Sequence, residues 1–289
     1  MIDLYNLAIE NETIIQNELR NLKASNVKSY RIEKFQKTIN KQKKASINVS
    51  IEKLYRVFKK KQYKNVFELN LPEAEIKEKY DRNGKYFSRF SIFVNKVLNG
   101  KDIKYAALNI GSLGFNNYFG ECCITLKSTF LEHSSKNKKI VCLNDYSLKI
   151  FNKKGGKWIF DENKLKKSVA RWENVDVLTT LKHHTHLGEN TSNWSFLVCG
   201  GHCTEVLIYC PIKVENFEKI QIRKKEKSLY GLFLGRNRRP IYQILSENND
   251  LATRLLSHLS KKINLEKLVI DLNKLVHIDF YFHEKGFDL

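Results

Sequence analysis

Proline, glycine and long apolar runs are scarce in this chain. Only 3 Pro and 13 Gly occur among 289 residues, which excludes collagen-like and low-complexity classes. No stretch of about 18 consecutive apolar residues is present, so we expect no transmembrane helix. The segment from Met1 to Glu10 carries acids instead of the basic and apolar regions of a signal peptide. We therefore expect a soluble, cytoplasmic protein with no membrane partner.

Acidic residues are also in short supply. The chain has 31 Asp and Glu against 51 Lys and Arg, which gives a formal net charge of +20. A genome rich in A and T, which favours lysine codons, is one explanation, but such a bias would raise the numbers of acidic residues and lysines together. The excess is larger than solubility requires and predicts an anionic partner, most naturally nucleic acid.

Apolar residues are abundant enough for a packed core. Hydrophobic residues make up 42% and aromatic residues 11% of the chain, as in globular proteins. The six cysteines lie in apolar segments, so we interpret them as reduced, buried thiols. Cys199 and Cys203 are the only closely spaced pair that is not adjacent in sequence, and this spacing matches no repeated zinc motif. No metal is expected.

The periodicity of apolar residues divides the chain into three parts. Helical spacing from Ile2 to Arg20 predicts one or two helices, because Asn11 can cap or break the run, and a lysine-dense helical region follows to Lys61. A second basic stretch and a helical pattern follow residue 222. Short segments rich in β-branched or aromatic residues predict strands between these flanks. They are Tyr105–Ile110, Cys122–Leu126, Ile140–Leu143, Trp158–Phe160, Ser195–Cys199 and Glu205–Tyr209.

Two clusters of residues in the central part carry side chains that could take part in catalysis. Three histidines lie within Lys182-His183-His184-Thr185-His186, and histidine is the natural acid or base near neutral pH. In an extended segment, His184 and His186 would share one face and His183 would lie on the other. Glu205 opens an otherwise apolar strand after a glycine-rich turn and His202, and such a carboxylate is either solvated or functional.

The segment around Glu205 resembles the last catalytic strand of ADP-ribosyltransferase-like toxins. The resemblance rests on Gly201-His202-Cys203-Thr204-Glu205-Val206-Leu207-Ile208 and on the spacing of Ile212, Val214, Phe217 and Ile220 after it. Tyr105-Ala-Ala-Leu-Asn109, Tyr118-Phe-Gly120-Glu and Asn144-Asp-Tyr146-Ser147 resemble earlier parts of the same fold, so the match spans about residues 103 to 222.

This resemblance implies an α+β fold whose central, mostly antiparallel sheet is split. The implied domains are a basic helical region at 1–80, the catalytic core at 81–222 and a basic helical region at 223–289. It also implies a glycosyltransferase that uses NAD as co-substrate. Glu205 and His202 would be catalytic, and the cofactor would be bound by Asn109, Tyr118, Gly120, Tyr146 and Ser147.

The acceptor of the ADP-ribosyl group is left open by the resemblance. Families that modify protein arginine have an acid or amide where Cys203 stands, and the first strand has no clear arginine. We therefore expect a macromolecular acceptor, as in a toxin or phage-defence effector. Nucleic acid, such as RNA, is a better candidate for it than protein. Such a protein can have a neutralising antitoxin or a chaperone as partner. Substrate contacts are predicted for His184, His186, Arg236, Arg238 and Arg239.

Two alternatives remain. The first is a metal-independent ribonuclease in which His184 or His186 acts together with His202 as base and acid. The second is a nucleic-acid-binding protein without catalytic activity.

Overall fold

The computed structural model describes residues 2–26, 28–65, 68, 100–111, 122–144, 151–154, 157–188, 194–199, 203–224 and 277–282. Within these ranges the helices are α1 (Leu4–Ser25), α2 (Ser29–Gln42), α3 (Ile51–Lys60), α4 (Ser128–Lys136), α5 (Glu162–Lys166), α6 (Val175–His183) and α7 (Trp194–Cys199). The strands are β1 (Lys43–Val49), β2 (Gln62–Tyr63), β3 (Lys104–Ile110), β4 (Cys122–Leu126), β5 (Ile140–Asn144), β6 (Phe151–Lys154), β7 (Lys157–Phe160), β8 (Val169–Arg171), β9 (Thr204–Ile208), β10 (Ile212–Lys213), β11 (Phe217–Lys224) and β12 (His277–Phe282).

Eight of these strands form one hydrogen-bonded sheet in the order β12-β11-β4-β1-β3-β9-β5-β8. Its adjacent strands run antiparallel, except that β11 and β12 are parallel. Strands β2 and β10 pair separately, as do β6 and β7. The prediction of an α+β fold with a mostly antiparallel sheet is therefore confirmed.

Most of the predicted strands are present. Strand β4 has the predicted bounds, and β3, β5, β7 and β9 agree with the prediction to within about one residue at each end. The strand predicted at Ser195–Cys199 was wrong, because Trp194–Cys199 forms helix α7. The Trp194 ring packs edge-on against Phe35, with ring centroids 5.2 Å apart. A short apolar run has no periodicity that separates a buried helix from a strand.

Of the one or two helices predicted here the structure has one, because α1 is continuous through Asn11. Asp3 is the N-cap, and its carboxylate accepts hydrogen bonds from the backbone N–H groups of Tyr5 and Asn6. Asn11 is buried, and its Nδ2 donates to the backbone oxygen of Val169 at 2.7 Å. This side chain therefore ties α1 to the edge strand β8.

Strand β1 was not anticipated, because it lies in the lysine-rich stretch that the sequence predicted to be helical. Residues 44–49 read Lys-Ala-Ser-Ile-Asn-Val, which alternates polar and apolar side chains as a strand with one buried face does. It lies between β3 and β4 near the centre of the sheet. The sheet thus includes residues from all three predicted regions, and the boundaries at residues 80 and 222 stay predictions.

The two faces of the sheet are covered differently. One face carries the larger core, in which Ala45, Ile47, Leu108, Ile124 and Val206 pack against apolar side chains of α2, α3, α6 and α7. The opposite face has a smaller apolar cluster over β5, β8 and β9. This second cluster is formed by Leu4, Leu7, Ala8, Ile103, Val141, Leu143, Leu165, Val169 and Leu207. The remainder of that second face, over β3, β1, β4 and β11, is mixed: the polar side chains of Asn109, Ser46, Thr125 and Gln221 lie beside Ala107 and Cys123.

Five cysteines of the described part of the chain form no disulfide. Cys122, Cys123, Cys142 and Cys203 are buried, as predicted, whereas Cys210 is half-buried. No described helix is both long enough and apolar enough to cross a membrane.

Candidate active site

Glu205 is the second residue of β9, which lies between β3 and β5. It pairs with Ala107 of β3 on one side and with Leu143 of β5 on the other. Directly opposed residues on neighbouring strands turn their side chains to the same face, so Glu205 lies where the smaller apolar cluster meets the polar part of this face. The residue is half-buried. The residue is therefore partly shielded from water.

Asn109 lies on the same face of the sheet as Glu205. It follows Ala107 by two residues along β3, and side chains two residues apart on a strand share a face. Such a diagonal pair lies roughly 7–8 Å apart. Asn109 is buried, and its Nδ2 donates to Oγ of Ser46 at 2.7 Å, so the amide is held in place by the neighbouring strand.

Tyr105 is the other diagonal neighbour of Glu205, on the opposite side of Ala107. It pairs with Leu207 and is 39% exposed. Partial burial raises the pKa of its phenol above the ordinary value, and the negative charge of Glu205 raises it further. The hydroxyl therefore stays protonated at neutral pH and remains a hydrogen-bond donor. Glu205 thus lies between two residues with donor groups, Tyr105 and Asn109.

A row of residues continues from Glu205 across the sheet. Ala107 pairs with Ser46, Ser46 with Thr125, and Thr125 with Lys219. Gln221 follows on the same face of β11, opposite Cys123. Ser46, Thr125 and Gln221 are all buried, so this face has a polar floor that begins beside Glu205.

Glu205 and Asn109 were predicted site residues, whereas Tyr105, Ser46, Thr125 and Gln221 were not predicted to share their face. The signal was available in two strands. Residues 219–223 read Lys-Ile-Gln-Ile-Arg, the same strict alternation as in β1, and the polar members of both strands point to the face of Glu205. This pattern was not recognised in β1, because the lysines of this stretch predicted a basic helix.

The histidine segment differs from the extended conformation considered for it. His183 ends α6 and is buried, whereas His184–His186 forms a 3-10 turn. Nδ1 of His184 lies 2.9 Å from the backbone oxygen of Leu181, and His186 is exposed. The prediction that His184 and His186 share one face of an extended segment, with His183 on the other, is therefore wrong.

One hydrogen bond connects the histidine segment to the strand of Glu205. Nζ of Lys182 donates to the backbone oxygen of Cys203 at 2.8 Å. Cys203 comes two residues before Glu205. The histidine turn is thus anchored beside the start of β9.

The remaining predicted site residues lie outside the described part of the chain. They are His202, Tyr118, Gly120, Tyr146, Ser147, Arg236, Arg238 and Arg239. Their assignment to catalysis, cofactor binding or substrate binding stays a prediction.

Metal ligation has no candidate among the described residues, where no group of three or more His, Cys, Asp or Glu could hold an ion. No protein-family model matches the chain, and no curated protein matches its sequence.

Proposed function

We propose that this protein is an NAD-dependent ADP-ribosyltransferase that modifies a macromolecular acceptor, nucleic acid before protein, as a toxin or phage-defence effector. The observation that carries the proposal is the position of Glu205. It is a half-buried acid near the start of an inner strand, and Asn109 and Tyr105 flank it on the same sheet face.

The reaction requires few groups of this kind. The bond between the ribose C1′ and the nicotinamide nitrogen breaks, and its electron pair leaves with nicotinamide. A bond then forms between C1′ and a nucleophilic atom of the acceptor, whose proton passes to a base or to solvent. Glu205 stabilises the positive charge that develops on the ribose, since a carboxylate acts most strongly where water is partly excluded. The hydroxyl of the exposed residue Tyr105 orients the ribose or the nicotinamide amide by hydrogen bonds, while Asn109, bonded to Ser46, lies buried beside Glu205.

A large acceptor is supported by one of the exposed basic surfaces. Lys34, Lys37 and Lys41 of α2 are exposed, and their spacing puts them on one helix face together with the exposed ring of Tyr30. Helix α2 packs on the sheet face opposite to Glu205. An acceptor that contacts both must reach around the sheet, as a folded RNA can and a small molecule cannot.

The test compares Glu205→Gln with Glu215→Gln. Glu215 lies on an exposed turn after β10, so its substitution controls for the loss of one negative charge. With labelled NAD and pools of RNA, DNA and protein, we expect Glu205→Gln to lower nicotinamide release and label transfer by about a hundredfold or more. Glu215→Gln should react like the wild type. Equal turnover by both variants would refute the proposal.

A metal-independent ribonuclease is the second candidate, favoured by the bond between Lys182 and Cys203 that anchors the histidine turn beside β9. His184 or His186 would act with His202 on a ribose 2′-hydroxyl. Incubation of labelled RNA without NAD separates the two activities. Cleavage that is lost in His186→Ala and kept in Glu205→Gln would favour the nuclease.

A further inference from the structure

Helix α2 presents a stripe of lysines to solvent. Lys34, Lys37 and Lys41 are all exposed, and their spacing of three and four residues puts them on one face of the helix. Tyr30 extends the stripe by one turn towards the start of the helix, and 61% of this residue is exposed. The stripe is about 17 Å long, since each helical residue adds about 1.5 Å along the axis.

The three lysines of this stripe have no acidic partner. In the described part of the chain none of them forms an ion pair, and Glu33, the only acid of α2, forms none either. Other surface lysines differ, because Lys164, Lys166 and Lys167 each pair with a carboxylate, at 3.2–3.9 Å. Like charges three and four residues apart on a helix repel each other, so the stripe reduces the stability of the free protein.

The neighbouring helix α1 has no comparable stripe. Its exposed residues include one charge of each sign, Glu10 and Arg20, and the rest are neutral. The positive charge of these two helices is therefore concentrated on one face of α2.

The opposite side of α2 is fully occupied by packing. Ile32, Phe35 and Ile39 are at most 1% exposed and belong to the larger core. Helices that bind a membrane surface insert their apolar face into the lipid. Helix α2 has no free apolar face for this purpose, which leaves a polyanion in water as the partner of its lysines.

Tyr30 adds an aromatic ring at one end of the stripe. The guanidinium of Arg31 lies 5.6 Å from the centroid of this ring, and its Nε donates to the tyrosine hydroxyl at 2.9 Å. These contacts orient the ring, while most of the residue remains in contact with water. A series of cations beside an exposed ring is typical of surfaces that bind single-stranded nucleic acid, because the cations contact phosphates and a base stacks on the ring.

We infer that α2 binds a single-stranded nucleic acid, whose phosphates contact Lys34, Lys37 and Lys41 and one of whose bases stacks on Tyr30. A duplex offers the same phosphates, but its bases are stacked on one another and cannot use the ring. This surface deepens the proposed function, on which it rests for the identity of the strand as the acceptor. The binding itself requires neither NAD nor Glu205.

The experiment measures binding of a short, fluorescently labelled RNA of mixed sequence by anisotropy, without NAD and over a range of salt concentrations. Each phosphate contact on a single strand contributes about 0.7 to the slope of log K against log salt. The triple variant Lys34→Gln/Lys37→Gln/Lys41→Gln should therefore lower the magnitude of this slope by about 2 and weaken binding about a hundredfold at about 0.1 M salt.

A second triple variant controls for the loss of net charge. Lys164→Gln/Lys166→Gln/Lys167→Gln also removes three positive charges, but from lysines that already have acidic partners. It should bind RNA like the wild type. An equal loss in this control would overturn the inference, because binding would then follow net charge alone. Unchanged binding by the α2 triple variant would overturn it as well.

Substitutions of Tyr30 test the stacked base. Tyr30→Ala should weaken binding of the single strand about tenfold and leave the salt slope unchanged, because the ring contacts no phosphate. Tyr30→Phe keeps the ring and should bind like the wild type. If Tyr30→Ala has no effect and a duplex of the same sequence binds equally well, the assignment to a single strand is wrong.

Melting temperatures and lipid vesicles exclude other roles of the stripe. Glutamine has nearly the helix propensity of lysine, and its introduction removes repulsion, so the α2 triple variant should melt at or above the temperature of the wild type. A lower melting temperature with unchanged RNA binding would show a structural role and refute the inference. Wild-type protein that binds phosphatidylserine vesicles through these lysines, but no RNA, would also refute it.

Transfer of label from NAD keeps this inference distinct from the proposed function. If the wild type and the α2 triple variant label RNA equally well, the transferase stands and the binding surface falls. If the triple variant loses RNA binding but the wild type consumes no NAD, the binding surface stands and the transferase falls.

Discussion

A buried pair of threonine hydroxyls supports the start of β9, and its removal gives a sharp prediction. Oγ1 of Thr179 in α6 lies 3.0 Å from Oγ1 of Thr204, the residue before Glu205. Both residues are fully buried. Replacing either one by valine keeps the shape of the side chain and leaves the other hydroxyl without a partner.

The magnitude follows from the cost of a stranded hydroxyl. An unsatisfied buried group costs about 1–3 kcal/mol, so each single variant should lose roughly that much free energy of unfolding. The double variant Thr179→Val/Thr204→Val strands no hydroxyl and should be close to the wild type. The two losses are therefore far from additive, with a coupling free energy of about 2–6 kcal/mol, the sum of the two single losses.

Urea unfolding of the four proteins measures this coupling. Thr180 is a matched control, because it is buried in the same helix and its hydroxyl has no hydrogen-bond partner among the described residues. Thr180→Val should leave the free energy of unfolding unchanged or raise it. Additive losses within about 0.5 kcal/mol, or a Thr180→Val variant as unstable as Thr179→Val, would refute the argument.

Three further predictions concern the core, the alkaline limit and the thiols. Phe35→Ala removes a fully buried ring and should lower the free energy of unfolding by about 3–5 kcal/mol in urea. Because the pKa of Tyr105 is raised in the folded state, its contribution to stability is present below about pH 10 and is lost above it. Tyr105→Phe should therefore lose less stability than the wild type between pH 8 and 11. Burial raises the pKa of the Cys142 thiol, so Cys142→Ser should leave the fast labelling by a thiol reagent unchanged, whereas Cys210→Ser should remove one fast-reacting group.

The strands were predictable wherever the local pattern was decisive. Cys122–Leu126 is a short apolar run of β-forming residues, and its environment in the sheet agrees with that preference. Residues 194–199 have a similar composition, yet they form α7 because Trp194 packs against Phe35, more than 150 residues away in sequence. Such a contact is not encoded in a window of neighbouring residues.

The candidate site was predictable residue by residue but not as an arrangement. Glu205 stood out as an acid in an apolar strand, and Asn109 as a polar residue in another. Their common face depends on the pairing of Ala107 with Glu205, and a shift of one residue would put them on opposite faces. Thr125 and Gln221 share this face only through the pairing of β4 with β1 and β11, which no local sequence pattern reports.

The order of strands also determines how the sheet must assemble over time. Among the described strands, no two neighbours in the eight-stranded sheet are joined by a tight hairpin. The paired residues with the smallest separation in sequence are Leu143 and Val169. β1 is synthesised first, but its partners β3 and β4 follow more than 50 residues later. Chains dominated by such distant pairings fold slowly, on the order of milliseconds to seconds. During synthesis, β1 must therefore remain unpaired until β3 leaves the ribosome, and the strand of Glu205 joins the sheet later still.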